Sequence, residues 1–156
     1  MSKYLGKLAG MALLPILFVI LAQASFCCAA EAAEPAKPGL ITWQKDLPSA
    51  LKLAAKSGKP LIVDFYIDNC RWCRKLDHDV FEHPTIGRQL KNRAVFVKVN
   101  AERSQEEIKF AKKNTNGSMP TVAVVEVSTK GTYVQRWRLE KYLPPERFLV
   151  EILNYL

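Results

Sequence analysis

The chain reads as one α/β domain, a central four-stranded mixed sheet flanked by helices on both faces. Three observations predict it. Leu61–Ile67 is an apolar run of strand type that passes through a short polar turn into a segment of helical period, Cys73, Leu76 and Val80. A second apolar run, Ala94–Val99, follows after a helix-length crossover, which makes a parallel pair with the first. Thr121–Val127 and Thr132–Arg138 are then separated only by Thr129-Lys130-Gly131, the signature of a hairpin.

The elements follow in order. Residues 1–30 have the layout of an export signal: Lys3 and Lys7 form a positive start, and Leu8 to Phe26 is an almost uncharged apolar stretch. Small residues at Cys28-Ala29-Ala30 and Ala30-Glu31-Ala32 offer cleavage sites. The stretch is also near the length of a membrane span, so cleaved signal and uncleaved anchor through residues 8–26 both stay open. Either way the following domain is expected outside the cytoplasm, periplasmic or on the outer face of the membrane, because Lys3 and Lys7 stay inside. Cys27 and Cys28 lack the small preceding residue a lipid-anchored cysteine needs, and leave with the signal or stay in the bilayer. Residues 31–39 are a Pro/Ala/charged linker.

The domain proper is residues 40–156. Trp43, Leu47, Ala50, Leu51 and Ala54 keep helical spacing, closed by Gly58. After the strand Leu61–Ile67 comes a helix over 70–81. Pro84 then opens a short helix to about Leu90. Past the strand at 94–99, Ser104 and Glu107 form a capping box for a helix to about Lys113. Asn114-Thr115-Asn116-Gly117 is a turn before the hairpin. Pro144-Pro145 opens the last helix, with Phe148, Leu149, Ile152 and Leu156 on one apolar side.

The chemistry is concentrated at Cys70-Arg71-Trp72-Cys73. Two cysteines at i, i+3 where a strand runs into a helix lie on one helical face, close enough to bond. Cys70 falls at the helix N-terminus, where unpaired amides and the dipole favour a thiolate. Arg71, Arg74 and Lys75 add positive charge. Cys70 is therefore the expected nucleophile and Cys73 the resolving thiol. A structural zinc site would need four ligands, and beyond residue 73 only His78 and His83 are available. No metal and no organic cofactor are expected. The formal charge of +8 is spread along the chain, with acids interleaved and no run of five Lys or Arg, so no nucleic-acid partner is expected. Arg136-Trp137-Arg138 fits an alternating strand with one buried Trp and two solvated arginines.

Val63-Asp64-Phe65, Cys70-x-x-Cys73, Val97-Lys98-Val99-Asn100 and Met119-Pro120-Thr121 resemble, in order and spacing, the thioredoxin superfamily over roughly residues 40–156. Gly58-Lys59-Pro60 and Val80-Phe81-x-x-Pro84 are similar to the thioredoxin-like domain that ends DsbD-type thiol:disulfide interchange proteins and to small exported relatives. The resemblance implies a thioredoxin fold and exchange of the Cys70/Cys73 dithiol with protein disulfides. It implies a buried Asp64 that accepts the resolving thiol's proton, with Lys98 beside it. It also implies a cis Pro120 whose neighbour Met119 pairs with an extended client segment. Asn69 before the first cysteine, and Arg71-Trp72 between the two, depart from thioredoxin itself. Arg71 is expected to stabilise the Cys70 thiolate, pushing the couple toward oxidising, and Trp72 to cover the disulfide or bind apolar client segments. The partners expected are protein disulfides and a membrane-bound or exported dithiol. Two other readings remain open at this level: a non-catalytic binding or chaperone module, and a reductant dedicated to one client such as an apocytochrome c or a copper-site protein.

Overall fold

The computed structural model describes residues 40–156; the signal or anchor and the linker read from the sequence lie outside the described residues. The element order is β1 (Trp43–Gln44), α1 (Leu47–Ser57), β2 (Leu61–Tyr66), α2 (Arg71–Leu76), a π-helical turn (Asp77–Phe81), α3 (Pro84–Leu90), β3 (Val95–Asn100), α4 (Gln105–Asn114), β4 (Thr121–Val127), β5 (Tyr133–Leu139) and α5 (Pro145–Leu153). The sheet order is β1-β3-β2-β4-β5. β2 pairs parallel with β3 and antiparallel with β4, and β4 pairs antiparallel with β5. No helix among the described residues is long and apolar enough to cross a membrane.

The sheet has five strands rather than the four expected, because Trp43 and Gln44 pair with Phe96 and Val97 as a short parallel edge. Trp43 is therefore not on the first helix, despite its helical spacing from Leu47. Pro48 is the reason: it has no amide to donate to residue 44, and its ring would strike that carbonyl. The helix starts instead at Asp46, whose carboxylate accepts from the Ser49 amide at 2.8 Å, and stops at Gly58 with φ 67°. Ser104 caps α4, accepting from the Glu107 amide at 3.2 Å and donating to its carboxylate at 2.9 Å.

Side-chain alternation along the strands divides the core in two. Leu61, Val63 and Phe65 of β2, with Val95, Val97 and Val99 of β3, pack under α1 and α4. Ile62, Phe96, Val122 and Val124 face the other way, onto Leu76, Val80, Phe81 and Ile86 and onto Phe148 and Ile152 of α5. Burying some 150–250 Å² per aromatic ring, at roughly 25 cal/mol per Å² of apolar surface, is what holds these layers together. The second face is also the one that carries Asp64, Lys98 and the helix bearing the cysteines.

Candidate active site

Strand β2 delivers the chain to the site, and the turn after it sets the first cysteine. Asn69 has φ 60°, a left-handed conformation that asparagine enters more readily than most side chains. The departure at Asn69 thus coincides with a backbone need. The turn is tied down by Asn100 at the end of β3, which is buried, donates to Asp68 Oδ1 at 3.0 Å and accepts from the Glu102 amide at 2.9 Å.

Cys70 is the N-cap of α2, and its sulfur accepts from the Cys73 amide at 3.1 Å. That N–H is one of the orphan donors of a helix start, aimed at the atom that would carry negative charge. Cys70 and Cys73 are disulfide-bonded, with Cα atoms 5.3 Å apart. Cys70 is half-buried and Cys73 buried. Cys70 is therefore the more accessible of the two residues, and Cys73 the sheltered one. Arg71, Arg74 and Trp72 are exposed.

Asp64 sits on the sheet face covered by this helix. Its cross-strand neighbours are Lys98 on β3 and Val122 on β4. It is 1% exposed, Lys98 Nζ donates to its Oδ2 at 2.8 Å, and its Oδ1 is buried with no hydrogen-bond partner. Loss of water pushes the Asp64 carboxyl up to about 6, with Lys98 pulling it back and Asp77 raising it further. For Lys98, burial disfavours the ammonium, but Asp64 and Asp77 outweigh it and hold the group above its ordinary value. The asymmetry has a simple cause: Lys98 has two carboxylates, whereas Asp64 has one ammonium and no solvent. The Trp43 ring centroid lies 4.6 Å and that of Phe81 5.6 Å from Lys98 Nζ, closing the lysine in with cation–π contacts.

The helix expected over 70–81 is continuous but not uniform. At Asp77 it widens to π winding, with the Glu82 amide donating to the Asp77 carbonyl at 2.9 Å. Asp77 accepts from Lys98 there. The sequence offers no local signal for this, because the contact joins residues 21 apart. A second unforeseen group adjoins it. Asp79 accepts from Lys75 at 2.5 Å and from the Tyr142 hydroxyl at 2.8 Å, and pairs with His78 Nδ1 at 2.9 Å. Tyr142, in the loop between β5 and α5, in turn meets Trp72, ring centroids 5.8 Å apart.

The Met119–Pro120 peptide bond is cis. Met119 is half-exposed and borders a cleft of about 540 Å³ whose walls include Ile67, Ala101, Ile108 and Ala111. Of the other residues weighed from sequence, Arg136 and Arg138 pair with Glu126 and Glu140, each at 3.1 Å, around a half-buried Trp137. His83 stands at the N-cap position of α3 without a side-chain capping bond, and no cluster of three His, Cys, Asp or Glu side chains among the described residues is arranged to hold a metal.

The thioredoxin-like family model matches residues 42–126, more than half of the chain and all of the span from β1 through the cysteines into β4. The chain belongs to the thioredoxin-like family. Within it, Cys70 and Cys73 are the cysteine pair of the family's thiol–disulfide oxidoreductases. The chloroplast thioredoxin-like protein HCF164 of Arabidopsis thaliana is 32% identical over 105 residues, which is 66% of this chain and 36% of that protein. The thiol:disulfide interchange protein DsbD of Vibrio vulnificus is 28% identical over 109 residues, 69% of this chain and 18% of that protein. The chain thus spans about a third or less of these relatives. Among solved structures, a thioredoxin from Thermus thermophilus superposes with TM-score 0.65 at 26% identity, covering 74% of this chain and 87% of that one. The oxidised C-terminal domain of Neisseria meningitidis DsbD does so at 0.58 and 20% identity, over 74% of this chain and 100% of that one, a likeness of fold. The matched span takes in β1, β2, β3, most of β4, the cysteine-bearing helix and the Met119-Pro120 segment described above.

Proposed function

We propose that this thioredoxin-like chain is an exported thiol–disulfide oxidoreductase that reduces disulfides of protein clients. The observation that carries the reading is the unequal setting of the two cysteines: a half-buried Cys70 at a helix start, and a buried Cys73 in a helix packed over the sheet face that holds the buried Asp64 carboxyl. In the reduced protein, the Cys70 thiolate attacks one sulfur of the client disulfide and expels the other as a thiolate. Cys73 then gives its proton to Asp64 and attacks Cys70 Sγ, so the client leaves with both sulfurs reduced and the Cys70–Cys73 bond takes up the oxidation. Two electrons have moved, and an exported or membrane-bound dithiol returns them.

Asp64 suits the proton step because it is ionised for the most part at pH 7, yet holds a proton more firmly than an exposed carboxylate would. Lys98 keeps that carboxylate anchored through Oδ2, leaving Oδ1 free to accept. Arg71 favours the Cys70 thiolate by charge. Met119 and Pro120 form the wall along which an extended client segment lies, its side chains entering the cleft at Ile67 and Ala101. Export rests on Lys3, Lys7 and the apolar stretch that follows.

The test is reduction of insulin disulfides by the full-length chain with dithiothreitol as electron source. The Cys70→Ser variant is expected to fall to the uncatalysed rate. Equal rates for the two proteins remove the catalytic reading and leave a binding module. A Cys73→Ala variant should accumulate mixed disulfides with clients, and whether one protein or many are captured separates a dedicated from a general reductant. Protease accessibility in intact cells checks the exported location.

A further inference from the structure

The active helix exposes an aromatic ring that the exchange chemistry does not require. Trp72 is 54% exposed, in the first turn beside Cys70, where burial would ordinarily be favoured. It is not loose. Its ring lies against Tyr142, and Tyr142 is fixed on several sides: its hydroxyl donates to Asp79, Lys75 Nζ stands 4.9 Å from its ring centroid, and it packs on the core under α5. Hydrogen bonds from Lys75, His78 and Tyr142 keep the Asp79 carboxyl far below the usual carboxylate range, so the clamp stays charged at neutral pH.

Charge along the chain near this ring is more positive than negative. Asp79 is paired with Lys75 and Asp77 shares Lys98 with Asp64, while the exposed Asp68 accepts from the neutral Asn100 amide. Arg71, Arg74 and Lys141 are exposed and make no ion pair among the described residues, unlike Arg136 and Arg138 on β5. An exposed, rigidly backed aromatic, with unpaired cations one and two residues away along its helix and another next to its Tyr142 backing, is complementary to a segment that is apolar and acidic.

Resting on the exchange activity proposed above, we infer that Trp72 and Tyr142 form a fixed aromatic shelf beside Cys70 that, with the exposed Arg71, Arg74 and Lys141 adjoining it in the chain, selects client disulfides flanked by acidic and apolar residues. Trp72 makes the contact. Tyr142 is a positioning residue, acting through Trp72, and Asp79 holds Tyr142.

The experiment compares three disulfides reduced by the full-length, pre-reduced chain: a cyclic peptide flanked by Asp and Phe, its counterpart flanked by Lys and Phe, and uncharged bis(2-hydroxyethyl) disulfide. The wild type should reduce the acidic peptide about tenfold faster than the basic one at low salt, with the ratio shrinking as salt rises. Arg71→Glu combined with Arg74→Glu should erase or invert that ratio after normalisation to the uncharged disulfide. Tyr142→Phe keeps the ring but frees it from Asp79. It should raise KM for the acidic peptide about fivefold, the scale of one lost hydrogen bond, with kcat and the uncharged disulfide unchanged. Trp72→Ala should do more than Tyr142→Phe, and Trp72→Phe should restore part of the loss. Equal rates on the two peptides overturn the selection, and a Tyr142→Phe variant indistinguishable from wild type overturns the positioning. If the wild type leaves all three disulfides intact, the exchange reading itself has failed, and the shelf with it.

Discussion

The two faces of the sheet are made by alternate residues of the same strands, yet they differ in kind. Under α1 and α4, every inward residue of β2 and β3 is apolar: Leu61, Val63, Phe65, Val95, Val97 and Val99. Under the cysteine-bearing helix, Ile62 is followed by Asp64 and Phe96 by Lys98 and Asn100. A shift of one residue in register would exchange the two sets, so the parallel pairing that opposes Asp64 to Lys98 is specified by the need to bury both rows. The comparison teaches where stability and reactivity reside. One face is free to hold the sheet together, and that allows the other to keep a dehydrated carboxyl beside Lys98.

The division can be broken by experiment. Leu61→Ala, at the start of β2 and fully buried on the apolar face, should cost roughly 2–5 kcal/mol in urea unfolding. Insulin reduction per folded molecule should stay within twofold of wild type. If activity fell with stability, the faces would not be separable. On the opposite face the expected sign is reversed. The Asp64 carboxyl, up at about 6 when folded, binds more protons in the native than in the unfolded chain between the two values. Its contribution to stability is therefore fully present below about pH 4 and lost as pH rises through about 6. Asp64→Asn should consequently stabilise the protein at pH 8 by roughly 2–3 kcal/mol and leave it near wild type at pH 4. The same substitution should slow client release from the mixed disulfide on the order of 100-fold at pH 7. A variant that is less stable at both pH values would contradict a buried, costly carboxylate.

The smallest effect sharpens the picture instead. Asp77 raises the Asp64 carboxyl by like charge and draws on the same lysine. Asp77→Asn should lower the pH at which mixed-disulfide resolution titrates by a fraction of a unit, roughly half. An unmoved profile would mean that Lys98 answers to Asp64 alone.

Much of this was legible in the order of residues, because the relevant signals are local. The Cys70-x-x-Cys73 spacing, the Ser104/Glu107 box and the run of strand-type residues at β2 and β3 each fit in a window of a few residues. The sequence expectation put Lys98 beside Asp64, and the register sets them opposite each other. What escaped is long-range or very short. β1 has two residues, too few for period to register, and its Trp43 imitates a helical position unless Pro48 is weighed. Tyr142 meets Asp79 across 63 residues, and neither residue type announces a partner. The π winding at Asp77 cannot be separated from α winding by spacing over five residues.

That single irregular turn also couples the two ends of the active helix in phase. A π turn is what an α-helix becomes when one residue is added, so Asp77–Phe81 carries an insertion's worth of rotation, about 100°. Deleting the exposed His78 would let the segment rewind. Either Cys73 and Leu76 or Phe81 and all that follows would then have to turn by that amount against the sheet. The spacing between the resolving sulfur and α3 is thus a count as much as a composition, and any homologue or redesign that alters its length by one must re-aim the sulfurs or the core.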